Sequence, residues 1–263
     1  MAAARPTLFF IHGMYMNGVS WEPWTKAAAT RGFVSAPPSW PFHDGEPADL
    51  RANVPAGLGD LTFGDVVTHF KRIIDSLSER PVLIGHSIGG LVVQKLVNDG
   101  YGSAGVSISS APPQGVTSFQ PVFLKANFPH VNPLAGNKPV LMTPERFHFT
   151  FCNVMSREDS DAAFERYVVP ESRNVPRSTL TKQAHVDFGK SHVPLLMIAG
   201  DTDHLTPAAM VEANSKRYTR PVDFKKFPNR SHFICNQDGW EDVATFVSDW
   251  IDGLSDSPGA TRS

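Results

Sequence analysis

The sequence predicts an α/β domain built on a doubly wound, mainly parallel sheet of six strands. Short apolar runs alternate with helix-period stripes at both ends of the chain. Those runs are continuous rather than alternating, as befits strands covered on both faces. The alternation breaks over residues 113–193, between the fourth and fifth strands, and then resumes.

Residues 8–11 (Leu-Phe-Phe-Ile) read as the first buried strand, 21–30 as a helix, and 33–36 as a second strand stopped by Pro37 and Pro38. Phe63, Val66, Val67, Phe70, Ile73, Ile74 and Leu77 recur at spacings of three and four, one apolar stripe on a helix. Residues 82–84 give the third strand, 91–97 a mostly apolar helix and 106–109 the fourth strand. Segment 113–193 is proline-rich and reads as irregular, with a helix expected near 159–167; it is too long for a plain loop and is expected to form a lid over one end of the sheet. Residues 195–199, a helix from Pro207, a strand over 222–227 and an amphipathic helix through Trp240, Val243, Phe246, Val247 and Trp250 complete the pattern. The expected plan is a core of residues 1–112 and 194–252, the lid 113–193, and a polar tail 253–263 that frays.

A chain of 263 residues suits one such domain with an insertion. With 24 Lys and Arg against 26 Asp and Glu, and no run of either sign, it has no electrostatic footprint for nucleic acid or an anionic membrane. A small-molecule partner is expected, and oligomeric state is left open. The N-terminus shows no signal-peptide pattern, and no apolar run approaches the roughly 18 residues of a membrane span, so a cytoplasmic protein is expected. Cys152 and Cys235 are expected to be free thiols. The ten histidines form no His-Glu-x-x-His pattern, and neither a metal nor a cofactor is expected.

Gly85-His86-Ser87-Ile88-Gly89 is the informative pentapeptide. A Gly-x-Ser-x-Gly match arises by chance in about one chain in ten of this length. Here a buried strand precedes it and a helix comes after it, the setting that a nucleophilic serine requires. Gly85 and Gly89 permit a tight turn, and Gly90 lets the helix sit close to the sheet. At the helix N-terminus the N–H of Ile88 can stabilise an oxyanion. The first strand ends in His12-Gly13-Met14, and Met14 N–H is the expected second oxyanion donor, with His12 read as structural. Met14, Tyr15 and Met16 are read as lining the substrate pocket, packing beneath the lid being the alternative, and the substrate-binding candidates are Tyr15, Met16 and His86.

The fifth strand runs into Gly200-Asp201-Thr202-Asp203-His204-Leu205-Thr206-Pro207. Asp203 lies past the strand end and is the preferred acid; Asp201 reads as a turn carboxylate and His204 as structural or pocket-lining. Thr206 is expected to cap the helix that Pro207 begins. His232, in the loop after the sixth strand, is the only histidine beyond the acid loop and the expected base. Arg230 is expected to be solvated and Ser231 a loop residue.

Taken together, His12-Gly13, Gly85 to Gly90, Gly200 to Pro207 and Ser231-His232-Phe233 resemble the α/β-hydrolase superfamily across nearly the whole core. The stretch from His12 to Trp21 is similar to the oxyanion loop of the plant methyl esterase and hydroxynitrile lyase branch. Met16 stands where that branch often has histidine, and Phe233 where its cyanohydrin-cleaving members carry a catalytic lysine, which disfavours lyase chemistry. Residues 162–170 resemble the lid of a widespread microbial α/β-hydrolase group. The resemblance implies a Ser/His/Asp hydrolase of a carboxylic ester or lactone. A lyase, a cofactor-independent oxygenase or a small-molecule receptor on the same scaffold is the alternative. Phe119, Phe123, Phe128, Phe147, Phe149, Phe151 and Phe164 make the lid apolar, which fits an uncharged substrate or a small core of the lid's own.

Overall fold

The computed structural model describes residues 5–255. Among them, six parallel strands form one sheet: β1 (Leu8–Ile11), β2 (Ser35–Ala36), β3 (Val82–His86), β4 (Ala104–Ile108), β5 (Leu195–Gly200) and β6 (Asp223–Phe227), in the order β2-β1-β3-β4-β5-β6. Ten α-helices among the described residues accompany them. They are α1 (Glu22–Thr30), α2 (Pro47–Ala52), α3 (Phe63–Asp75), α4 (Ile88–Asn98), α5 (Pro121–Val131), α6 (Pro144–Thr150), α7 (Arg157–Tyr167), α8 (Asn174–Ser178), α9 (Ala208–Ser215) and α10 (Trp240–Ser255).

β1, β3, β4 and β5 are buried along their whole length. Successive side chains alternate between the two faces. Phe9 and Ile11 enter one core with Leu83 and the stripes of α3 and α4, whereas Leu8 and Phe10 enter the other with Val82, Ile84, Trp24 of α1 and Val243 and Val247 of α10. A capping box between Thr62 and Asp65 fixes the start of α3.

The outer strands depart from the sequence reading. β6 exposes Asp223, Lys225 and Lys226, because an edge strand needs no second covered face and charge there discourages pairing with another chain. β2 shrinks to two residues; Phe33 N–H bonds back to Ala28 O and belongs to the turn that leaves α1.

The insertion between β4 and β5 holds four helices where the sequence suggested one. Pro121 and Pro144 occupy first-turn positions, so prolines that look like breakers are helix starts. α7 packs on α2, and α8 on α3 and α5. At the C-terminus, residues 253–255 continue α10 rather than begin a tail; the rest of the expected tail, 256–263, lies outside the described residues.

Strand order reverses at β1, which has β2 on one side and β3 on the other. Ile11 pairs with Gly85, so the loops leaving β1 and β3 emerge side by side at the carboxyl edge of the sheet, where open α/β sheets hold their ligands.

Candidate active site

Ser87 sits between the last residue of β3 and the first of α4, with φ 57° and ψ −120°. Left-handed φ is costly for a residue with a side chain, and the surroundings enforce it. A Cβ on Gly85 would stand 2.1 Å from Gly89 O, and one on Gly89 would stand 2.2 Å from Ile11 O. Only glycine at both positions lets the elbow close against β1.

His232 Nε2 lies 2.8 Å from Ser87 Oγ, and its Nδ1 lies 2.7 Å from Asp203 Oδ2. A carboxylate only accepts, so Nδ1 carries the proton and Nε2 is free to accept from the serine hydroxyl. Asp203 is fully saturated: Oδ1 accepts from Leu205 N–H and Thr206 N–H, and Oδ2 also accepts from Thr206 Oγ1 at 2.7 Å. Burial would raise its pKa, but His232 and Thr206 outweigh burial and hold the carboxyl below its usual range.

Thr206 therefore differs from the cap expected of it. Its hydroxyl serves Asp203, and α9 begins with no side-chain cap. Asp201, the other carboxylate of the loop, is exposed. His204 Nδ1 donates to Phe149 O of the insertion. Arg230, expected in solvent, is largely covered and donates to the carbonyls of Asp238 and Gly239.

The turn after β1 comes very close to the elbow: a Cβ on Gly13 would lie 2.8 Å from Ser87 Cβ. Among the described residues, the N–H groups of Met14 and Ile88 donate to no protein acceptor. His12 is structural; Trp40 N–H donates to its Nε2, its Nδ1 faces Gly13 O, and burial, then nearby His43, holds its pKa well below the ordinary value.

Met14, Tyr15, Ser87 and Ile88 open onto a cavity of about 600 Å³. The insertion supplies much of its wall through Phe123, Phe128, Val131, Phe151 and Leu180. Among the described residues, no Asp, Glu, Lys or Arg lines it. His130, which does line it, is kept neutral near neutral pH: burial, then Arg146 and Arg173, lower its pKa to about 3, and its Nδ1 is 2.8 Å from Tyr15 OH. The insertion's phenylalanines divide: Phe123, Phe128 and Phe151 face the cavity, Phe147 and Phe164 form a buried cluster with Phe233, and Phe119 is exposed.

Met16 and His86 lie elsewhere. Both line a separate space of about 10 Å³ behind the turn, with Phe233 and Trp21, room for no more than a water. Neither is among the residues that line the large cavity. His86 Nε2 lies 2.7 Å from His232 O and holds that loop in place; burial, then His232, lowers its pKa to about 3.

Sequence reasoning missed Thr206, His130, His43 and Glu171. Glu171 is fully buried within the insertion, and its Oε2 accepts from Tyr15 N–H at 3.3 Å. A buried glutamate has no sequence signature of its own; only its contacts reveal it. Among the described residues, no group of three or more His, Cys, Asp or Glu could hold a metal, and no helix is long and apolar enough to cross a membrane. Cys152 and Cys235 are buried and unpaired.

A parallel sheet reversing at β1, with a strained serine at the strand-to-helix elbow, defines an α/β-hydrolase architecture. The α/β-hydrolase family model matches residues 8–246, and the chain belongs to that family. Among solved structures it is similar to a monoacylglycerol lipase from Paleococcus ferrophilus, with a TM-score of 0.70 and 18% identity over 94% of this chain and 95% of that one. A pyrethroid hydrolase from Sphingobium faniae JZ-2 superposes with a TM-score of 0.67 at 17% identity, covering 96% and 99%. A methylesterase from Arabidopsis does so with 0.67 at 14% identity, covering 94% and 99%. No curated protein sequence matches this chain.

Proposed function

We propose that the protein is a serine hydrolase that cleaves a carboxylic ester or lactone of an uncharged, fairly apolar small molecule through an acyl-enzyme on Ser87. The observation that carries this reading is the hydrogen-bonded series Ser87–His232–Asp203 at the wall of an apolar cavity. The structures it resembles are named as a lipase, a pyrethroid hydrolase and a methylesterase, which agrees with ester chemistry.

In this mechanism His232 Nε2 takes the Ser87 proton as Oγ bonds to the carbonyl carbon. The carbonyl oxygen becomes an oxyanion held by the N–H groups of Met14 and Ile88. His232 then gives its proton to the leaving oxygen as the C–O bond breaks, releasing the alcohol, or in a lactone leaving it tethered. Water deprotonated by His232 attacks the acyl carbon, and Ser87 Oγ departs with that proton. Asp203 keeps Nδ1–H in place and stabilises the imidazolium without taking its proton. Residues 113–193 act as a lid whose apolar wall receives the substrate.

An uncharged lining favours neutral esters, since a charged group would lose its water without a partner. Ser87→Ala should abolish turnover of p-nitrophenyl esters and labelling by a fluorophosphonate. Retention of wild-type activity by this variant would sink the assignment. Labelling of Ser87 without turnover of any ester or lactone would favour the receptor or non-hydrolytic reading.

A further inference from the structure

Tyr15 is held in a backbone conformation it would not choose. Its φ is 62°, the left-handed region that bulky side chains rarely occupy. It directly succeeds Met14, and its N–H shares a peptide plane with Met14 C=O, so anchoring that plane restricts the rotation left to the Met14 backbone. The insertion grips Tyr15 on both sides: Val169 N–H donates to Tyr15 O at 3.0 Å, and Tyr15 N–H donates to Glu171 Oε2.

Glu171 is itself anchored. Its N–H and C=O both bond to Val140 at 2.8 Å in an antiparallel bridge, and its Oε1 accepts from Ser172 N–H at 2.7 Å. His43 supplies the opposite charge. Its Nε2 is 3.3 Å from Glu171 Oε2, within ion-pair reach although not aligned as a hydrogen bond, and both side chains are sealed from solvent. His43 Nδ1 faces Pro41 O, an acceptor, so Nδ1 carries a proton. The contact of Nε2 with the carboxylate is then favourable only with a second proton between them. Burial is the largest single influence and works against that charge, but Glu171, Pro41 O and Asp44 together outweigh it and raise the His43 pKa.

We propose that Glu171, neutralised by His43, is a positioning residue that clamps Tyr15 in its left-handed conformation and so holds Met14 N–H on the oxyanion. This rests on the reading of Met14 as an oxyanion donor under the proposed ester hydrolysis. The insertion is on this account part of the catalytic geometry as well as a wall of the pocket. A buried carboxylate is suited to the task because one oxygen can hold Tyr15 N–H while the other holds Ser172 N–H, which an amide side chain cannot do.

Glu171→Gln tests the clamp while preserving shape. Displacing one oxyanion donor should lower kcat for a neutral p-nitrophenyl ester about 10- to 100-fold, with KM within about threefold. Affinity for an alkyl trifluoromethyl ketone, whose serine adduct carries the oxyanion, should weaken by a matching factor. His43→Gln should give the same pattern from outside the insertion. In the wild type the Tyr15 amide should exchange hydrogen slowly, and in Glu171→Gln quickly; this readout stands whether or not a substrate is turned over. Wild-type kcat in Glu171→Gln, a rise in KM alone, or fast Tyr15 exchange in the wild type would overturn the clamp. Absence of Ser87-dependent turnover in the wild type would instead overturn the proposed hydrolysis.

Discussion

The hydroxyl of Thr206 donates to Asp203 Oδ2 at 2.7 Å, the same oxygen that receives the Nδ1 proton of His232. The acid is thereby fixed from both sides, and the ring it orients can turn only by breaking a saturated set of hydrogen bonds. Thr206→Val preserves shape and removes one member of that set. Such a loss costs about 1–3 kcal/mol of stability, read as a lower urea midpoint. The freed carboxylate should also let kcat fall several-fold, while KM stays near its wild-type value.

The two aspartates of the loop after β5 should separate cleanly. Asp203→Asn replaces an acceptor with an amide that favours the wrong His232 tautomer, and kcat should drop by about four orders of magnitude. Asp201→Asn, on an exposed side chain, should leave kcat within about twofold. Equal effects in the two variants would remove Asp203 from its role.

Gly13→Ala tests the approach of the turn to the elbow. The added Cβ would stand 2.8 Å from Ser87 Cβ and 3.0 Å from His86 O, so one backbone segment must yield. A shift near 1 Å at reacting groups costs about a hundredfold in rate. Ester turnover should fall by that order while the variant remains folded by circular dichroism.

Acid should destabilise the fold from pH 6.5 downward. His12, His86 and His130 all have folded pKa values below the ordinary 6.5, to about 3 for the last two, through burial above all. Between those limits the unfolded chain binds protons that the folded chain refuses, so stability rises with pH and is lost as pH falls. Each group contributes a slope of up to about 1.4 kcal/mol per pH unit. His130→Asn should flatten the dependence of urea-unfolding free energy on pH between 6 and 4; an unchanged slope would show that His130 takes its proton while folded.

The sequence by itself determined the four buried strands of the sheet, the elbow and the order of the three polar residues. Continuous apolar runs mark strands covered on both faces, and the glycines around Ser87 mark a turn that no side chain could enter. These are local signals, readable because strand burial and backbone clearance depend on each residue and its immediate neighbours. The prolines of the insertion misled for a related reason: Pro121 starts a helix only because residues 122–131 can continue one, and periodicity over so short a helix is faint. Tertiary structure decided the rest. Met16 and His86 are chain neighbours of Tyr15 and Ser87, which open onto the large cavity, yet their own side chains line a separate small space. Thr206 looked like a cap and serves an acid. Glu171 lies 156 positions from Tyr15 in the chain, and their contact exists only once the insertion has folded back across the sheet.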